Sequence, residues 1–383
     1  LVALLAEAKS VAELARSGSP PARSIVYAAW DAEEPGLIGS TEWAEHHAKV
    51  LKKHAVAYLN TDGNSRGFVR IGGSHTLERF FDQVISDVED PQTGVSLKDR
   101  LKAWLSVFGT EQQKKNNADR KNVRLYPLGS GSDYTPFLQH LGIASANLGF
   151  SGEGSGGSYH TLYDTYEHYT TWRDPDLVYG VTLSQVAGHA TLRLANARVL
   201  PFDFVNLVDN IALYVDELEE LAVKMRTDTA RINKLIDEDV YVVALDPSKA
   251  FGPPLRKTDV PYFNFAPLKN SLEQLAKSAD SLDGLLANDE GISDRKLTQL
   301  NRLLYMSERQ LTRDNGLTGR PWYKHHIYAP GFYTGYGVKT IPGVREAIEI
   351  REFDEVSEQI EIAASVLDSL TAQLELVVTL LTD

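Results

Sequence analysis

The spacing of apolar residues divides the chain into an α/β part and a helical part. Residues 3–17 have amphipathic helical spacing, and the run SGSPPARS then reads as a turn. SIVYAAW, residues 24–30, is a continuous β-prone apolar run, the pattern of a strand buried on both faces. STEWAEHHAKVLKKH, residues 40–54, has helical character, and VAYLNTD, 56–62, is a second buried-strand pattern. Strand, helix, strand at these lengths predicts a βαβ unit with parallel strands and a right-handed crossover. IASANLGF, 143–150, is a third strand candidate, leading into the Gly/Ser-rich loop SGEGSGGS, and helical patterning returns over 172–198.

After Pro201 the strand patterns stop. Phe204, Leu207, Ile211, Val215, Leu218, Ala222 and Met225 recur at helical spacing along a helix expected to reach Ile236. Residues 237–267 read as irregular. A second helix is predicted from Ser271, where Ser271 and Gln274 fit a capping box, and a third over 293–308. Val356, Ile360, Ala363, Leu367, Leu370, Leu374, Val377 and Leu381 form a heptad seam, as in a bundle helix. We therefore expect a mostly parallel sheet flanked by helices in residues 1–200 and a helical bundle in 201–383.

Composition narrows the chemistry. The 383 residues carry a formal charge of −13, with no basic surplus for binding nucleic acid. No run of 18 apolar residues occurs, so no membrane segment is expected. Cysteine is absent, which leaves His and carboxylates as the ligands for any metal. The first residues form a helix pattern with no initiator Met and no leader, so we expect the chain to begin inside a domain of a longer protein.

Carboxylates cluster where the βαβ reading places the carboxyl ends of strands, the region where open α/β sheets bind ligands. Asp31, Glu33 and Glu34 in WDAEEPG follow the first strand pattern, and Asp62 follows the second. His160, in GSYHTLYDTYE after the glycine-rich loop, adds an imidazole. One His with several carboxylates and no Cys suits Zn²⁺ or Mn²⁺ in a catalytic setting. Adjacent glutamates can divide the work, one binding metal while the other takes a proton from water. His46, His47, His54 and His168 lie in charged helical surroundings and read as surface residues; His325 and His326 lack carboxylate neighbours in the sequence.

WDAEEPGLIGSTEWAEHHAKVL, YLNTDGN, LGSGSDYTPFLQHLGIAS, YHTLYDTYE and RPWYKHHIYAP closely resemble the glutamate carboxypeptidase II / transferrin receptor family. That family comprises co-catalytic zinc peptidases and non-catalytic relatives, and the resemblance covers nearly the whole chain. It implies that the helical region is a dimerisation domain and the protein a homodimer acting on peptides. It also suggests a secreted, periplasmic or extracellular setting. By motif, Glu33 matches the general base; Glu34, Asp62 and His160 match zinc ligands; Tyr159 matches the oxyanion donor. Gly131, Ser132 and Tyr336 match the substrate cleft. Glu42 and Glu45 match carboxylates that hold a structural calcium.

The family's remaining zinc ligands, a His and a bridging Asp, lie well upstream of the D-x-E-E motif. The 32 residues before Glu33 contain no His. The resemblance thus implies a C-terminal part of such an enzyme, inactive alone, whose two-zinc site is completed by an upstream segment. Acid-selective members carry arginines after GIAS and a lysine before the cleft tyrosine. Here Ala146–Gly149 is uncharged and Gly335 precedes Tyr336, which argues against strong glutamate preference. The competing expectations are a non-catalytic scaffold like the transferrin receptor and an aminopeptidase of the same superfamily.

Overall fold

The computed structural model describes residues 1–382 except 155–156, 247, 250–251 and 288–290. Ser155 and Gly156 of the predicted glycine-rich loop therefore lie outside the described residues. The first part runs α1 (Val2–Arg16), α2 (Ile38–His46), α3 (Ala48–His54), β1 (Tyr58–Asn60), β2 (Gly67–Gly73), α4 (Glu78–Ser86), α5 (Leu97–Phe108) and α6 (Glu111–Asp119). β3 (Ser145–Gly152), the single turn α7 (Tyr166–His168) and α8 (Val178–Asn196) follow. The rest comprises α9 (Phe204–Asp237), α10 (Val240–Ala244), α11 (Ala266–Leu286), α12 (Asp294–Tyr305), the hairpin β4 (Tyr328–Pro330) and β5 (Val338–Thr340), α13 (Pro342–Glu349) and α14 (Phe353–Thr382).

The architecture is mixed α/β with small sheets and a large helical content, and the expected mostly parallel sheet is not formed. The main sheet has three strands in the order β1-β3-β2. β1 pairs parallel with β3, Tyr58 opposite Ser145, while β2 pairs antiparallel, Gly67 opposite Gly152. The sequence pattern missed β2 because GFVRIGG is short and glycine-rich. Those glycines are needed: Gly67 has φ +136°, and a Cβ there would collide with the Ser151 carbonyl.

The predicted strand at 24–30 is likewise absent. Among the described residues it makes no backbone ladder, its side chains alternate between exposed and half-buried, and Val26 is 74% exposed. An apolar run becomes a strand only where a neighbour satisfies its N–H and C=O groups. The parallel pair that does exist is β1 with β3, and the segment between residue 30 and β1 is two helices broken at His47.

Helix α14 follows its predicted seam closely, with Val356, Ile360, Ala363, Leu367, Leu370, Leu374 and Val377 all buried, chiefly against α11 and α13. By length and composition alone it would suffice to cross a bilayer, but its seam is spent on these neighbours. α9 buries the predicted Phe204–Ala222 face. α11 begins five residues earlier than the capping-box reading. Ser271 is therefore a buried interior residue, and Asn264 Oδ1 instead accepts the Ala266 N–H at 3.0 Å. A capping box does occur, at Thr110 and Gln113 of α6. One apolar cluster runs from Phe81 and Leu148 through Leu207 to Leu367, so the two parts share a core across the 197–203 connection.

Candidate active site

The carboxyl end of β1 is locked against β3. Asn60 Nδ2 donates to Asn147 Oδ1 at 3.0 Å and to Ser132 Oγ at 2.9 Å, and its own Oδ1 accepts the Tyr58 hydroxyl at 3.0 Å. Trp30 Nε1 in turn donates to the Tyr58 oxygen at 3.0 Å. This chain carries the 30–34 segment to the mouth of the sheet. There Asp31 Oδ1 accepts the Ala32 N–H at 2.8 Å, and Ala32 takes a left-handed φ of 53°. The Glu33 carbonyl accepts from Gly36 at 3.0 Å and Leu37 at 2.7 Å, closing a tight turn before α2. Asp31 thus shapes the turn that presents the two glutamates.

His160 reaches Glu34 across 126 positions, with Nε2 3.1 Å from Oε1. It too has a positive φ, 57°, a conformation that non-glycine residues adopt at a cost. Its ring stacks on Tyr159, centroids 3.8 Å apart. Burial, then the charges of Asp133, Glu34 and Asp62, raise the Glu33 pKa, with His160 opposing. The Tyr159 phenol is raised by desolvation and then by Glu34, Glu33, Asp62 and Tyr336, which keeps it protonated at neutral pH. Glu33, Glu34, Asp62, Tyr159 and His160 therefore act on one another. A carboxylate raised by like charges is a stronger base, and a protonated phenol beside it is a hydrogen-bond donor.

Asp133 went unread in the sequence although it lies inside a quoted motif. It is buried, its Oδ1 has no hydrogen-bond partner, and its pKa is raised by desolvation and by Asp62, with a Ser40 hydrogen bond opposing. The one signal in the sequence was an acidic residue closing the run GSGS, and it does not show that the position is buried.

Gly131 lies against the ring of Tyr336, where a Cβ would be 3.2 Å from Cγ, and the Ser130 N–H donates to the Tyr336 carbonyl at 3.0 Å. Ser132 does not face open space: it is 1% exposed and its Oγ is taken by Asn60. At Gly129 an added Cβ would overlap the Tyr336 carbonyl and the Val338 nitrogen. Gly129→Ala should accordingly cost about 1–3 kcal/mol in denaturant unfolding, because both clashing groups are backbone. Glu42 and Glu45 lie on the exposed side of α2, and Glu45 Oε1 accepts Trp322 Nε1–H at 2.6 Å. A cavity of about 500 Å³ lined by Ile71, Trp104, Arg124 and Tyr214 has none of these site residues in its lining.

Among the described residues no group of three or more His, Asp or Glu converges to hold a metal ion. Glu34 and His160 are in contact and Asp62 acts on the neighbouring Glu33; these donor types suit zinc, but among the described residues they do not form a complete site. Glu42 and Glu45 likewise belong to no such group among the described residues.

Residues 2–182 match the model of peptidase family M28, and residues 263–375 match that of the transferrin receptor-like dimerisation domain. The chain thus joins a region similar to the M28 peptidases to one similar to this dimerisation domain. It is 29% identical over 348 residues to a probable glutamate carboxypeptidase of Arabidopsis thaliana, covering 90% of this chain and 43% of that protein. It is 30% identical over 374 residues to a probable glutamate carboxypeptidase of Arthroderma benhamiae, covering 94% and 45%. A protein of Rattus norvegicus named as an aminopeptidase is 26% identical over 93% of this chain and 45% of its own length. The chain spans less than half the length of these relatives.

Proposed function

We propose that this protein is a zinc-dependent exopeptidase with its base, part of its metal-ligand set and one wall of its cleft in residues 1–200, and its dimer contacts together with the cleft residue Tyr336 in 201–383. The contact between His160 and Glu34, brought together from distant segments around Glu33, supports the reading most directly. Glu34, His160 and Asp62 are the ligands offered by this chain. The two-metal site of the family would need further donors from a segment outside these 383 residues. Glu33 would take the proton from the attacking water and pass it to the leaving amine. Tyr159 would donate to the oxyanion as charge develops on the carbonyl oxygen. Gly131 and Tyr336 would flank the scissile region. Zinc, when bound, supplies Lewis acidity.

Metal analysis of the full-length protein tests this. Two zinc ions per protomer are expected, and His160→Ala should lose at least one. A wild type that binds no metal and cleaves no peptide would favour the non-catalytic scaffold reading instead. The uncharged run Ala146–Gly149 favours an aminopeptidase as the second reading. A panel of dipeptides with blocked or free α-amino groups distinguishes the two, since only a carboxypeptidase tolerates the block.

A further inference from the structure

The turn between β2 and α4 sends three side chains in three directions. Glu78 is wholly buried; its Oε1 receives the Arg120 guanidinium. Its Oε2 accepts the Leu125 backbone N–H at 3.2 Å and Asn210 Nδ2–H at 3.1 Å. His75 Nε2 lies 2.7 Å from the Tyr214 hydroxyl on α9. Thr76 Oγ1 donates to Glu308 Oε2 at 3.4 Å. Glu308, also buried, accepts the Tyr328 hydroxyl at 2.7 Å and His325 Nε2–H at 3.2 Å. The proton sits on His325 Nε2 because Nδ1 accepts the Ile327 and Tyr328 backbone N–H groups. His325 thus has the carboxylate partner that its sequence neighbours did not supply.

These contacts end on both sides of the cleft. The segment held by Glu78 continues from Arg120 and Leu125 to Gly129, Gly131 and Asp133. The segment held by Glu308 continues from His325 and Tyr328 through β4 to Tyr336. The two segments meet where the Ser130 N–H donates to the Tyr336 carbonyl at 3.0 Å. Buried carboxylates with every neighbour donating to them hold those neighbours in one arrangement, and removing one acceptor strands several donors at once.

We propose that Glu78 and Glu308 are positioning residues that set the width of the substrate cleft, tying its walls, 120–133 and 325–336, to one turn and to helix α9. This rests on the peptidase reading of that cleft. It makes the helical part a determinant of cleft shape as well as of assembly.

The test uses the full-length protein with Glu78→Gln and with Thr76→Val, Thr76→Ser serving as the conservative rescue. The first two should raise KM for a cleaved peptide about tenfold with kcat within about threefold, while Thr76→Ser stays near wild type. Hydrogen exchange should quicken across 122–133 and 328–338 in both altered proteins and leave the α14 amides unchanged. A lowered Tm with KM unmoved, or faster exchange confined to 74–82, would overturn the proposal. If Glu78→Gln does not fold, the Thr76 pair decides. A wild type inactive on every peptide sinks the peptidase reading, and the exchange pattern still decides whether these residues fix the walls.

Discussion

Glu33→Gln in the full-length protein should lower peptide turnover by about 10²–10⁴-fold, the range for losing a positioned general base, with zinc content unchanged. The substitution is close to isosteric and removes one thing, the ability to hold a proton. Glu33 is surrounded by Asp133, Glu34 and Asp62, which raise its pKa after desolvation has done so. Replacing it by a neutral amide relieves that repulsion, so the folded state should lose no stability and Tm should hold or rise. The contact between the proposed ligands belongs to Glu34 and His160, not to Glu33. A Gln variant with wild-type turnover would remove the base assignment. One that also lost zinc would show that Glu33 is itself a ligand.

Leu367→Ala should destabilise the folded chain by about 2–5 kcal/mol, the range for emptying a leucine site in a packed core. Leu367 is fully buried on the α14 seam, in the same cluster as Leu275 of α11 and Val344 of α13. Leu376, nine residues further along the same helix, is 58% exposed. Leu376→Ala removes the same atoms and should change stability by less than about 0.5 kcal/mol. Urea unfolding of the two variants compares burial at constant helix propensity, since both replace Leu by Ala in one helix. Equal effects would mean that the seam does not carry the packing. A large effect at Leu376 alone would identify the exposed side as a contact between protomers.

Long amphipathic helices were the most legible elements. In α14 and α9 the buried face can be read from spacing alone, because a helix satisfies its own backbone and needs only a partner for one stripe. Ser271 failed as a helix start for a local reason: a Ser three residues before a Gln also fits a helix interior, and the helix in fact starts after Phe265, with Asn264 accepting the Ala266 N–H. The strand at 24–30 failed because its pattern says nothing of whether a neighbour is present to pair with it.

At the candidate site, Glu33, Glu34, Asp62, Tyr159 and His160 were legible through charge clustering and motif resemblance. Asp133 was not, since its importance comes from burial beside those charges. Ser132 was placed in the cleft by its motif, yet its hydroxyl is committed to Asn60.

The sequence by itself determined the long helices and the resemblance to a peptidase family, and it pointed to a cluster of carboxylates with an imidazole, because each rests on local periodicity or on residue identity in short motifs. Tertiary structure alone decided the mixed sheet, the half-exposed path of 24–30 and the linkage of Glu78 to Leu125 and Asn210, and of Glu308 to His325 and Thr76. Strand pairing and burial of a carboxylate both depend on groups far away in the chain. Asn210 lies 132 positions from Glu78, and Glu308 lies 232 from Thr76. No window of neighbouring residues contains that information, because the free energy of a buried charge is set by whichever donors the fold brings to it.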